Sequence, residues 1–163
     1  KLQLKQFVHI QNVDLVWSKI MSMICDYSVS VIALKKNERK YGMTCAWFMP
    51  VDYDKLVCLL GTQSQTGHVI EKGDIIGVSV LNKNQVDVAS TLGDKHSDEV
   101  DKFEGLDYEV KDTAILINNA SRKMVCKVID VLHLEGIEVD NLLYLNIVST
   151  EENEDNFLHY SDL

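Results

Sequence analysis

Apolar residues in this chain come in short runs that alternate with polar positions or are rich in β-branched side chains, which predicts strands. Residues 27–34 (YSVSVIAL) alternate and lead into the charged turn KKNERK, so a hairpin with the segment beyond Tyr41 is expected. Further strands are predicted at 46–49 and 56–60, around a loop at 50–55 that holds the only proline, Pro50. Others follow at 75–81, 113–117, 124–134 and 142–148, with turns at 118–121 and 135–141.

Helical spacing is confined to short segments. Leu15, Val16, Ile20, Met23 and Ile24 follow a candidate N-cap, Asp14, and predict an entry helix over 14–23. Residues 66–72 read as a two-turn helix closed by Gly73, 84–92 as a helix with Val86, Ala89 and Ser90 on one side, and 98–103 as a short helix bearing Val100 and Phe103. Six or more short strands joined by turns, with the helices grouped in the middle, predict a mainly β fold: a small antiparallel barrel with helical insertions. A parallel doubly wound sheet fits worse, since Gly61, Gly67, Gly73 and Gly77 never form G-x-G-x-x-G. At 163 residues one domain spanning 1–163 is expected. The tail, 151–163, is polar but carries Phe157, Leu158 and Tyr160, which can dock it.

Composition narrows the partners. With 46% hydrophobic and 25% charged residues the chain is an ordinary globular one. It contains no apolar run of about 18 residues, so no membrane span is expected, and its N-terminal residues lack a signal-peptide pattern, which predicts a cytoplasmic location. A formal charge of −9 argues against a nucleic-acid partner. Cys25, Cys45, Cys58 and Cys126 have no C-x-x-C pairing and the histidines no H-E-x-x-H spacing, so reduced buried thiols and no metal are expected. There is also no G-x-S-x-G elbow and no Walker loop.

The candidate chemistry lies within 41–103. Gly42, Met43 and Thr44 lead into a strand, the next strand ends at Gly61, and a Ser/Thr/Gly cluster opens a helix. Over Gln63, Ser64, Thr66 and Gly67, two hydroxyls, a glycine and exposed helix amides suit a phosphate. An ordinary helix cap uses the same residue types. Trp47 reads equally as a core residue, and Lys102 taken alone as a surface lysine.

In order along the chain stand a GMT-plus-small-residue strand, a second strand, a Thr-Gly helix start, the strand VSVL, a Gln-containing helix and the pair Lys102-Phe103. This order resembles the flavin reductase-like, FMN-binding split-barrel family over roughly residues 18–149. The resemblance implies a Greek-key split β-barrel, FMN rather than FAD as cofactor, and a homodimer with its flavin sites at the interface. It further implies that Thr44, Cys45, Ala46 and Trp47 follow the isoalloxazine edge through their main chain. Asn82, Lys83 and Gln85 would contact ribityl and phosphate groups, and Lys102 would approach the flavin. The family's Gly-Asp-His signature aligns with Val139, Asp140 and Asn141, so Asn141 stands at the histidine position. An amide there carries no proton near neutral pH. The implied function is electron or hydride transfer between a reduced donor, NAD(P)H or a protein, and flavin or a redox partner. The alternative is a non-enzymatic flavin-binding or interaction module on the same barrel.

Overall fold

A computed structural model describes residues 26–61, 64–94, 101–137 and 140–163. Within them nine strands form one antiparallel sheet: β1 (Ser30–Lys36), β2 (Arg39–Cys45), β3 (Phe48–Asp52), β4 (Lys55–Gly61), β5 (Ile75–Val80), β6 (Tyr108–Lys111), β7 (Ala114–Ile117), β8 (Arg122–Leu132) and β9 (Asp140–Glu152). Two α-helices, α1 (Gln65–Val69) and α2 (Val86–Asp94), and a 3₁₀ turn (Tyr160–Asp162) complete the described elements. The strand order is β3-β4-β9-β8-β5-β1-β7-β6, with β2 branching from β1. The mainly β, antiparallel reading of six or more strands therefore holds, and among the described residues no ladder closes the sheet into a barrel.

The sheet is built around β1. One of its edges pairs with β2 along the whole strand, and the other pairs with β5 and, at Leu34, with β7. Ile32 and Leu34 point into one apolar cluster with Cys58, Leu60, Ile76 and Leu143, while Val31 and Ala33 point into a second with Leu92, Phe103 and Ile115. A strand buried on both faces must be apolar at odd and even positions alike, and SVIAL meets that demand. Asn37 and Glu38, both at positive φ (51° and 62°), make the two-residue turn of the β1–β2 hairpin, whose twist requires that conformation.

Several local expectations change. Pro50 lies inside β3 rather than in a loop; β3 is the terminal strand of the order, where a missing N–H costs no ladder bond. The strand expected at 46–49 thus begins only at Phe48. The helix expected over 66–72 is a single turn, because Ile70 turns extended (ψ 129°) and is buried in the core, and the Asp74 carboxylate then accepts from the Glu71 N–H. Gly73 has the expected positive φ (96°) but serves the turn into β5. Of the helix expected at 98–103, the described part, 101–103, is turn; the Asp101 side chain accepts from the Phe103 N–H at 3.0 Å and competes with helical bonding. Asp140 and Asn141, expected in a turn, already belong to β9. The tail docks as predicted: Leu158 is fully buried and bonds through its backbone to Val29 and Leu81. The entry helix predicted at 14–23 lies outside the described residues, within which no helix is long and apolar enough to cross a membrane.

An ion pair fastens the turn after α2 to the hairpin. Lys40 Nζ lies 2.6 Å from Asp101 and 5.3 Å from the centre of the Tyr108 ring. The hydrogen bond from Lys40 holds the Asp101 carboxyl below its usual range. A carboxylate depressed in the folded state contributes stability above its ordinary pKa and loses it as pH falls through the folded value. The urea midpoint should therefore drop on acidification to below the ordinary carboxylate range, and Asp101→Asn should flatten that part of the profile. An identical acid profile in the variant would remove this pair from the account.

Candidate functional site

The sequence-predicted site residues fall into three neighbourhoods. At the end of β2, the Thr44 hydroxyl donates to the Ala89 carbonyl of α2 at 2.6 Å, and Ser30 Oγ donates to the Cys45 carbonyl at 2.9 Å. Ala46 and Trp47 form the link to β3, held by a bond from the Leu59 N–H to the Trp47 carbonyl. Trp47 is 50% exposed, which overturns its reading as a core residue. Lys102 belongs to this neighbourhood and is not a surface lysine: it is buried, and its ammonium donates to the carbonyls of Gly42 (2.9 Å) and Leu92 (2.7 Å). Burial lowers its pKa. Its charge serves the junction of α2 with β2, because Leu92 lies in the last turn of α2, where carbonyls lack intrahelical donors.

The second neighbourhood surrounds α1. Ser64 is the N-cap: its hydroxyl accepts from the Gly67 N–H at 2.9 Å and donates to the Gly61 carbonyl at 2.7 Å. Of the two roles open to Ser64, the cap is thus in use. Gly67 presses on the end of β4, and a Cβ there would lie 2.3 Å from the Gly61 carbonyl oxygen. Thr66 is 1% exposed, and its hydroxyl has no hydrogen-bond partner. Asn141, 7% exposed, donates to the Gly67 carbonyl at 3.2 Å, while its side-chain oxygen has no partner. Two buried polar atoms thus stand unpaired beside one helical turn, which native interiors rarely tolerate without a ligand or water. Gln63 lies outside the described residues.

Asn82, Lys83 and Gln85 form the third, against the C-terminal tail. Asn82 bridges to Phe157, the Lys83 N–H bonds to the Asn156 carbonyl, and the Gln85 side chain accepts from the Asn82 N–H and donates to the Asn118 carbonyl. Asn82 and Gln85 line a polar pocket of about 350 Å³ with Asn119, Asn153 and Glu154.

An apolar groove of about 590 Å³ opens beside Trp47 on β3, β4 and β9. Phe48, Met49, Val57, Leu59 and Leu142 line it together with Tyr27 and Asp140. Sequence reasoning missed this groove, although LVCLL in β4 carried the signal. Leu56, Cys58 and Leu60 fill the core, so Val57 and Leu59 place apolar side chains on the opposite face as well. The described thiols offer no chemistry here, since burial pushes Cys45 and Cys126 up to about 12 and Cys58 well above its ordinary value. Among the described residues no cluster of histidine, cysteine and carboxylate side chains suits a metal.

Solved structures share this architecture. The NADH:FAD oxidoreductase SgcE6 of Streptomyces globisporus superposes with a TM-score of 0.73 at 16% identity, over 94% of this chain and 91% of that one. The flavin reductase PheA2 gives 0.73 at 19% identity over 90% and 92%. An FMN-binding protein from Thermus thermophilus gives 0.72 at 14% identity over 95% and 82%. At these identities the likeness establishes the fold: an antiparallel sheet of the kind found in flavin-handling proteins. Residues 21–162 match the family model of the flavin reductase like domain, and the chain belongs to that family. No curated protein sequence matches it.

A flavin mononucleotide needs donors for its phosphate, polar partners for its ribityl chain and apolar surface for its ring. The unpaired Thr66 hydroxyl and Asn141 oxygen, with the exposed Trp47 at the end of β2, meet those needs in kind. Ser64 and Lys102 are already engaged by the fold. The residues present fit a flavin, with fewer free donors than the sequence suggests.

Proposed function

We propose that this protein is an FMN-binding flavoprotein that passes electrons or hydride between a reduced donor and a flavin or redox partner. Family membership supports the flavin, and Thr66 is the single observation that carries the site: a hydroxyl buried beside α1 with nothing to bond. In this reading Thr66 donates to the phosphate and the main chain of 44–47 lies along the ring. Bound flavin supplies the centre that takes up electrons. The protein's own residues bind and orient: Ser64 and Asn141 hold α1 on the ends of β4 and β9, and Lys102 and Thr44 hold α2 on β2.

The donor is NAD(P)H bound transiently or a redox protein. Asn141 favours the protein, because its amide is bonded to Gly67 and cannot carry a proton. A homodimer follows from the same reading. β3 is a terminal strand that exposes Met49 (53%) and Val51 (48%), and pairing across a two-fold would cover it. Buried free thiols suit the reducing cytoplasm.

The purified protein should be yellow, release FMN on denaturation and scatter light as a dimer of 18.5 kDa chains. Thr66→Val keeps the shape and removes the hydroxyl. If the hydroxyl serves the phosphate, FMN affinity should fall about tenfold, the low end for a bond to a charged group. If it serves nothing, the variant should be as stable as the parent or more so and bind FMN equally well, which would sink the assignment. A colourless protein that takes up no added FMN would favour the non-enzymatic interaction module.

A further inference from the structure

We propose that Lys36 is a positioning residue for the flavin phosphate, acting through α1. A helix as short as α1 has no stability of its own in water, so its place depends on what holds its ends. Ser64 caps the first end. At the other, Lys36, the last residue of β1, donates to the Val69 carbonyl at 2.9 Å, a C-terminal carbonyl of the kind that lacks an intrahelical donor. Two carboxylates place the ammonium, Glu71 at 2.7 Å and Asp74 at 3.0 Å, and the same Asp74 oxygen accepts from the Glu71 N–H at 2.8 Å. Lys36 therefore ties β1, the end of α1 and the turn into β5 at one point. The Lys36 and Asp74 side chains are only 24% and 22% exposed, so salt screens this tie less than it screens a surface pair.

Thr66 and Val69 belong to the same helical turn, so a shift of the Val69 carbonyl carries the Thr66 hydroxyl with it. This role of Lys36 rests on the reading of Thr66 as a phosphate donor. A lysine can also favour an anionic ligand by attraction through space, and the two effects differ in sign at Asp74. Asp74→Ala removes a negative charge, so attraction alone would tighten FMN. It also removes the carboxylate that places Lys36 and the Glu71 N–H, so positioning through α1 weakens FMN.

FMN and riboflavin differ only in the phosphate, and the ratio of their affinities is the readout. Both are titrated into the full chain freed of bound flavin, with quenching of flavin fluorescence followed. A general loosening of the fold weakens both ligands alike and leaves the ratio unchanged. Lys36→Met should lower the ratio about three- to tenfold, the upper bound being loss of the Thr66 bond itself. Thr66→Val should lower it about tenfold in the parent chain and less in the Lys36→Met chain, because a misplaced hydroxyl has less to lose. Asp74→Ala should lower it too, and the effects should persist in roughly 1 M salt, where interactions through solvent are screened within a few ångströms. A ratio unchanged by Lys36→Met, full additivity of Lys36→Met with Thr66→Val, or a ratio raised by Asp74→Ala would overturn the proposal and leave the flavin reading standing. Equal binding of FMN and riboflavin to the parent would overturn the phosphate roles of Thr66 and Lys36 together. A parent chain that takes up neither would overturn the flavin reading itself, and this proposal with it.

Discussion

Gly77→Ala should cost this protein at least about 3 kcal/mol of stability, the upper range for overfilling a packed interior. Gly77 lies in β5, paired with Ala33 of β1 and Val125 of β8. A Cβ at this position would sit 2.0 Å from the Ile115 carbonyl oxygen and 2.7 Å from its carbon, both main-chain atoms of β7. No rotamer change relieves a clash with backbone, so β5 and β7 would have to part, and β1 with its two core faces lies beside them. Gly42→Ala makes the comparison: its Cβ would meet Phe103 Cζ at 2.5 Å, the far end of a side chain, which can turn away. Urea unfolding should place the Gly77 variant far below the Gly42 variant. A Gly77→Ala midpoint near that of the parent would mean that β7 does not pack on β5 as described.

Lys102→Met should loosen the end of α2 and cost about 1–3 kcal/mol. Two bonds from a charged donor are lost, each about 1.5–3 kcal/mol, and this is offset in part because methionine removes the burden of burying a charge. The carbonyls of Gly42 and Leu92 lose their donor, so amide exchange in the last turn of α2 should accelerate. The pH dependence has a definite sign. Burial lowers the folded-state pKa of Lys102 below the ordinary 10.5, so between the two values the unfolded chain holds the proton more tightly. Stability contributed by this residue therefore rises with pH through that window, and the gap between parent and Met variant should widen there. A gap that narrows with rising pH, or unchanged exchange in α2, would show that the ammonium is not held between these carbonyls.

How far the chain reveals itself depends on whether the deciding contacts are local. The β1–β2 hairpin, the strand at 75–80, the helix at 86–94 and the docked tail were legible because periodicity, turn residues and apolar spacing act within a few positions. The order of small motifs from Gly42 to Phe103 was sufficient to point to the family that residues 21–162 match. Tertiary contact settled what competes with local preference. Ile70 left the helix for the core, and Pro50 could stay in a strand because β3 ends the sheet order. It also gave several of the predicted site residues partners within the fold. Thr44 and Lys102 bind α2, Ser64 caps α1, and Asn82 and Gln85 hold the tail, because each polar group buried by the fold first had to satisfy the nearest backbone partner. The sequence by itself determined the strand-rich class, through periodicity, and the family, through the order of its motifs, and apolar surroundings anticipated the burial of Cys45, Cys58 and Cys126. Only the tertiary structure decided which polar atoms remain unpaired, Thr66 and Asn141, and that Asp140 joins three aromatic residues at one groove, since those depend on contacts between segments far apart in the chain.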